Sequence, residues 1–156
     1  MHYLLAIFFG GLASLAFEPY GFWCCALFGI AGWYWVLTQH RLKQRVFISY
    51  LFGLSILLPT QHWTGIYVGN LPWLILCFAQ ALIFILPALL MRRNHRANQF
   101  IFPLSYVSIE LLLRTVPFTG FGWSRLSLTQ TDSPYDSVYR QIGLAGMALV
   151  IATIVV

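Results

Sequence analysis

The chain has 156 residues, of which 60% are hydrophobic, 17% aromatic and only 8% charged, with a net charge of +5 and a mean hydropathy of +0.77. Soluble domains carry about 25% charged residues, and nine Lys and Arg with four Asp and Glu are too few to cover a soluble globule. The composition excludes a soluble enzyme domain and a disordered chain, and it predicts an all-α integral membrane protein.

A spanning helix needs about 20 mostly apolar residues. The first predicted helix, 2–17, is short and uncharged. Its stretch from Leu4 to Phe17 holds eight Leu, Ile and Phe residues. Together these favour insertion by about −2.4 to −4.8 kcal/mol. A signal peptide is disfavoured, because there is no basic segment before it and no small-x-small exit before Glu18-Pro19. Glu18-Pro19-Tyr20-Gly21 reads as a turn.

The second helix is 21–37, with Trp33, Tyr34 and Trp35 placed to suit an interface belt. Residues 40–45 form a basic loop with Arg41, Lys43 and Arg45. From Val46 to Met91 no Lys, Arg, Asp or Glu occurs over 46 residues, which suits two spans and a hairpin. Polar and turn residues collect from Pro59 to Pro72. The third helix is therefore 46–59 with a possible extension, and the fourth is 72–91. Arg92, Arg93 and Arg96 mark a second basic loop. The fifth helix is 99–116 and contains Glu110 and Arg114. A long polar connection with a short amphipathic stretch leads to the sixth helix, 142–156.

Charge placement orients these spans. With the N-terminus cytoplasmic, the loops after the second and fourth helices hold six of the nine Lys and Arg (41, 43, 45, 92, 93 and 96). The expected architecture is thus a polytopic transmembrane bundle of about six helices, N-terminus inside. The sixth helix ends apolar at Val156, with no polar tail, which reads as a chain truncated from something longer.

Cys24, Cys25 and Cys77 lack metal-ligand spacing, and no two histidines fall at i, i+4. No nucleotide-binding or hydrolase motif is present, so no metal or cofactor is expected. Cations are not interleaved with base-stacking rings, so nucleic acid is set aside as a partner. Three constellations remain. Glu110 and Arg114 have the spacing of a helical ion pair at membrane depth, where charges are costly. Arg114 also suits a lipid phosphate, because its planar fork binds bidentately. The hairpin from Gln61 to Asn70 carries Trp63 and Tyr67. The run from Pro117 to Arg125 alternates Gly120 and Gly122 with Phe121 and Trp123, beside Arg125. Each has a plainer reading, as a structural pair, an interface belt and a folded loop respectively.

These segments carry a resemblance. Leu15-Ala16-Phe17-Glu18-Pro19-Tyr20-Gly21-Phe22-Trp23 resembles the turn after the first helix of apolipoprotein N-acyltransferases. The hairpin His62-Trp63 through Tyr67-Val68-Gly69 is similar to that family's outer hairpin. Glu110 to Arg114, then Gly120-Phe121-Gly122-Trp123, Gln130, Asp132, Ser133, Pro134 and Gly143, resemble its Glu-x-x-x-Arg helix and Gly-Phe-x-Trp loop. The three matches occur in the family's order.

The resemblance implies transfer of a phospholipid acyl chain, by way of an enzyme thioester, to the amino group of a lipoprotein's diacylglyceryl-cysteine. It implies residence in the bacterial cytoplasmic (inner) membrane. The family's catalytic Glu, Lys and Cys belong to a nitrilase-like domain, for which this sequence has no counterpart. No catalytic residue is carried over, and the polypeptide by itself is expected to be inactive. Its implied partners are membrane phospholipid, the lipoprotein N-terminus and that nitrilase-like domain. The candidate seating residues are Trp63, Tyr67, Glu110, Arg114, Gly120, Trp123 and Arg125. A non-catalytic membrane scaffold and a small transporter are the other readings.

Overall fold

A computed structural model describes residues 1–117 and 120–156. The chain is all-helical, with no strand among the described residues. The described residues form eight α-helices in order: α1 (His2–Ser14), α2 (Trp23–Gln39), α3 (Leu42–Thr60), α4 (His62–Val68), α5 (Asn70–Ala81), α6 (Leu86–Leu90), α7 (Asn98–Leu113) and α8 (Asp136–Ile154). Short 3-10 turns occupy Ile83–Ile85, Gly122–Ser124 and Leu126–Gln130.

Boundaries differ from the sequence expectations where local chemistry intervenes. The first helix tightens at its end: Leu15, Ala16 and Phe17 donate to Leu12, Ala13 and Ser14 carbonyls three residues back. This i→i+3 pattern closes the helix ahead of Pro19. The expected basic loop at 40–45 is half helix, because α3 already begins at Leu42. Gln44 Oε1 accepts the Arg41 N–H at 3.4 Å and supports that start. Lys43 and Arg45 therefore stand in the first turn of α3, and Arg45 is buried.

The expected hairpin at 59–72 contains a helix of its own, α4, set off from α3 by Gln61 and from α5 by Gly69. The helix expected at 72–91 is continuous from Asn70 to Leu90 but tightened at 83–85. Pro87 explains this. It has no N–H to give the Ile83 carbonyl, and its ring crowds the preceding turn. The last helix begins at Asp136 rather than 142, but its backbone breaks at Gly143 (φ 68°, ψ −174°). The break separates a polar first part, where Arg140 Nε meets Asp136 Oδ2 at 2.9 Å, from the apolar remainder.

α3 is the central element, packed by α1, α2, α5 and α6. α1 buries Ala6, Gly10 and Ala13, with Gly10 against α3 and Ala13 against Gly29 of α2. A Cβ on Gly10 would lie 2.6 Å from the Phe52 carbonyl oxygen, so only glycine permits this approach. Small residues at such spacing let helix backbones come close. The centre of the core is Trp33. Its ring stacks on Phe52 (4.3 Å between centroids, 9° between planes), meets Phe102 edge-on at 5.4 Å, and donates its N–H to Ser49 Oγ at 3.3 Å.

The outward faces are apolar too. Leu4, Phe8, Phe28, Phe100, Leu104 and Ile75 are all exposed. Two stretches, Asn70–Leu90 and Asp136–Ile154, are long and apolar enough to cross a membrane.

The two ends of the bundle differ in chemistry. At one end the His2 and His40 rings lie 4.5 Å apart, and the 92–98 loop is tied to α2 by Asn94 N–H donating to Thr38 O at 3.0 Å. Asn98 closes that loop on itself: its side chain accepts from Arg92 N–H (3.0 Å) and donates to Arg92 O (2.6 Å). The chain start and both basic segments therefore share one end. The turn at Glu18, the α4 hairpin and the 120–133 segment gather at the other.

Candidate lipid-seating end

The second end is built on buried polar side chains. Gln61 Nε2 donates to Gln80 Oε1 at 2.5 Å and to Ser124 Oγ at 3.0 Å. Ser124 Oγ also pairs with Thr60 Oγ1 at 2.9 Å. Gln80 Nε2 donates to the Phe121 carbonyl at 2.8 Å. Gln61, Gln80 and Ser124 are all buried. Burying an amide is unfavourable unless it is hydrogen-bonded, so these partners make the site specific. The network pins the loop after α7 onto α3 and α5.

The same loop is stitched to the end of α7. Phe121 N–H donates to Leu113 O at 2.9 Å. Gly120 has φ +91°, and a Cβ there would fall 1.9 Å from the Arg114 carbonyl oxygen. Only glycine fits that position. Arg125 Nε folds back onto Gly122 O at 2.8 Å and steadies the turn that presents Trp123.

Glu110 sits behind this loop and is 3% exposed. Its carboxyl oxygens accept from Tyr106 Oη at 3.1 Å, from Ser127 N–H at 3.0 Å and from the Ser127 hydroxyl. The Glu110–Arg114 ion pair expected from spacing is not formed. α7 ends at Leu113, Glu110 turns inward to Ser127, and Arg114 lies exposed beyond the helix end. Glu110 is therefore an anchor for the Leu126–Gln130 turn. Gln130 continues the stitching by donating to Trp23 O at 3.3 Å, at the start of α2.

Rings line the surface that this framework holds. Trp63 lies 5.9 Å from Phe121, 6.4 Å from Trp123 and 6.3 Å from Tyr67, centroid to centroid. Tyr67 is 80% exposed and Trp123 67%. Between α4, α5 and the loop opens an apolar cavity of about 550 Å³, with Trp63, Tyr67, Leu71, Trp73, Pro117 and Phe121 among its walls. That size lies within the ~300–1,000 Å³ of small-molecule sites.

The structure thus brings Trp63, Tyr67, Gly120 and Trp123 together, with Arg125 bracing the loop. It places Glu110 beneath them, and leaves Arg114 exposed beyond the end of α7. Phe118 and Thr119, part of the ring-and-glycine run, lie outside the described residues. Sequence reading missed Gln61, Gln80, Ser124 and Ser127 as determinants. Two glutamines inside an uncharged and mostly apolar run are the available signal. His62 packs edge-on against Trp73 at 5.2 Å. The Cys77 thiol donates to two oxygen acceptors, Leu57 O and Gln61 Oε1, both at 3.6 Å.

Comparisons with known proteins identify the family of this chain. The sequence model of the family described as apolipoprotein N-acyltransferase N-terminal domain matches residues 9–156. Among curated proteins, the apolipoprotein N-acyltransferase of Pasteurella multocida is 28% identical over 93% of this chain and 30% of its own length. That of Photobacterium profundum is 30% identical over 97% of the chain and 32% of its own length. That of Mycolicibacterium smegmatis is 42% identical over 47% of the chain and 13% of its own length. The chain spans about 30% of the length of the first two of these relatives. It belongs to the apolipoprotein N-acyltransferase family and corresponds to that family's N-terminal domain.

Proposed function

We propose that the chain crosses the bacterial cytoplasmic membrane six times, through α1, α2, α3, the α5–α6 unit, α7 and the apolar part of α8. The N-terminus and both basic segments face the cytoplasm, and the ring-lined end faces outward. Two observations support this. Large apolar side chains cover the outward faces, which in water is an aggregation liability and in lipid is not. The basic segments share one end of the bundle, as the positive-inside bias requires. Reporter fusions at Lys43 and Arg93 should give a cytoplasmic signal; an exterior signal at either overturns this topology.

The role we propose is to seat substrates for acyl transfer from phospholipid to the diacylglyceryl-cysteine of a lipoprotein. The observation that carries it is the apolar cavity walled by Trp63, Tyr67 and Phe121 at the end opposite the basic segments. It suits a hydrocarbon chain, and its walls offer amphipathic rings to a headgroup, with Arg114 exposed at the end of α7 beside the loop. None of this chain's residues is assigned to the bond-making step. A cysteine nucleophile needs an adjacent base, and the acceptors of the Cys77 thiol, the Leu57 carbonyl and the Gln61 amide oxygen, are too weakly basic to take its proton. The chain by itself is therefore inactive in this reading, and the transfer step falls to a nitrilase-like domain.

In a full-length homologue, the changes equivalent to Trp123→Ala and Arg114→Ala should each lower lipoprotein acylation about tenfold, ~1.4 kcal/mol, at unchanged protein level. Normal turnover in both variants removes the seating role and leaves a membrane scaffold.

A further inference from the structure

The carboxylates of the chain gather at the ring-lined end. Glu110 is bonded to Ser127, Asp136 follows Tyr135, whose ring meets Trp23, and Glu18 and Asp132 share a cavity with Trp63 and Trp123. The opposite end has six cations, Arg41, Lys43, Arg45, Arg92, Arg93 and Arg96, and no carboxylate among its described residues. Arg45 is 5% exposed, and its Nε and Nη1 are buried without a hydrogen-bond partner among the described residues. A buried guanidinium without a counter-charge is unfavourable, so the charge balance at this end favours a nearby anion.

One cavity at this end has the donors for an oxyanion. It measures about 280 Å³ and lies between α2, the 92–98 loop and the start of α7, with Tyr34, Thr38, His95, Arg96 and Gln99 among its walls. The loop is held in place: Asn94 N–H ties it to Thr38 O, and Asn98 ties it to Arg92. Ala97 N–H donates to His95 Nδ1 at 3.1 Å. That bond makes Nδ1 the acceptor and leaves Nε2 as the donor of the ring. Arg96 is exposed, and its guanidinium has no partner among the described residues. An arginine, a histidine Nε2–H and an amide on a fixed loop are suited to phosphate oxygens.

Gln99 is also a wall of a second cavity, of about 350 Å³, between α7 and α8. Phe100, Pro103, Leu104, Leu149 and Val156 make that groove apolar. The first cavity alone would suit any phosphate. An apolar groove that shares a wall with it selects an anion carrying a hydrocarbon chain.

We infer that the basic end binds an anionic phospholipid of the surrounding membrane, with the phosphodiester at Arg96 and His95 and an acyl chain in the α7–α8 groove. The site lies at the opposite end from the ring-lined cavity and is independent of the seating role. Its assignment to the cytoplasmic leaflet rests on the topology proposed above.

The test uses the full chain in neutral detergent micelles, as wild type, Arg96→Gln, Arg93→Gln and Arg114→Ala. Arg93 is an exposed cation of the same loop that does not wall the cavity, so its variant matches the net charge of Arg96→Gln. Thermal midpoints equal to wild type establish that the variants are folded. Phosphatidylglycerol, phosphatidylcholine and glycerophosphoglycerol, the first headgroup without its acyl chains, are titrated, and retained ligand is measured by native mass spectrometry. Arg96→Gln should bind phosphatidylglycerol about tenfold more weakly than wild type, and Arg93→Gln no more than about twofold more weakly. Equal losses in the two variants reduce the effect to general surface charge and overturn the site. Phosphatidylcholine bound by wild type as tightly as phosphatidylglycerol overturns the preference for an anionic lipid. Glycerophosphoglycerol bound as tightly as the intact lipid overturns the groove. A loss in Arg114→Ala with none in Arg96→Gln puts the lipid at the ring-lined end, which overturns this site and leaves the seating role in place. A loss in Arg96→Gln with none in Arg114→Ala supports the site whether or not the seating role holds.

Discussion

Glu110→Leu should lower the thermal midpoint of the chain in detergent by roughly 6 °C or more, at about 2–4 °C per kcal/mol for a chain of this size. The side chain satisfies three donors, the Tyr106 hydroxyl and the Ser127 N–H and hydroxyl. Leucine leaves all three unmatched, and each orphaned buried group costs about 1–3 kcal/mol. The surrounding gap, lined by Phe84, Tyr106, Leu113 and Leu126, is too small to admit a water as substitute. Glu110→Gln retains a carbonyl acceptor in the same place, so its loss should be clearly smaller. Circular dichroism melts of the three proteins in one detergent test this. Equal midpoints for wild type and Glu110→Leu would show that the carboxyl does not anchor the Leu126–Gln130 turn.

Gly120→Ala should detach the ring-bearing loop from the end of α7. The new methyl would stand 1.9 Å from Arg114 O and 2.6 Å from Thr115 N, and both are backbone atoms that cannot rotate away. The left-handed backbone at φ +91° adds about 1–2 kcal/mol for any residue with a Cβ. Relief requires the loop to move, which breaks the Phe121–Leu113 bond and the Gln80–Phe121 bond together. Trypsin should then cut after Arg125 much faster than in wild type, because that side chain no longer folds back onto Gly122. A wild-type digestion pattern would mean that the loop tolerates the methyl, and that the glycine is not required for its position.

The two variants separate the layers of the site. Glu110 acts from below, through the turn at Ser127, and Gly120 acts at the junction with α7. The aromatic groups above depend on both. Trp63 and Tyr67 stand on α4, while Phe121 and Trp123 stand on the loop, so the cavity between them exists only while the loop is docked.

Much of this was legible from residue order alone. Helix positions followed from apolar runs, because each run must satisfy its own backbone and a helix does so within itself. The ring-lined end was legible because Trp63, Tyr67 and Trp123 are large and fall in segments rich in turn residues. Helix starts were less legible. Lys43 and Arg45 read as loop because clustered cations mark loops between apolar spans, yet α3 begins at Leu42. The last helix read as starting at 142, where polar residues give way to apolar ones, whereas α8 begins at Asp136 and its backbone breaks at Gly143.

Amino-acid order by itself determined the helical class, the family, the segregation of basic segments from rings, and the candidate residues at the ring-lined end. These rest on local properties: hydropathy, charge and short motifs, each contained within a few turns of chain. Only the tertiary structure decided what the polar side chains do. Glu110 finds Ser127 across 17 residues instead of Arg114 across four, and Gln61 finds Ser124 across 63. No periodicity encodes such partners, because a buried polar group bonds to whatever the packing brings within 3 Å of it, and packing is a property of the whole chain.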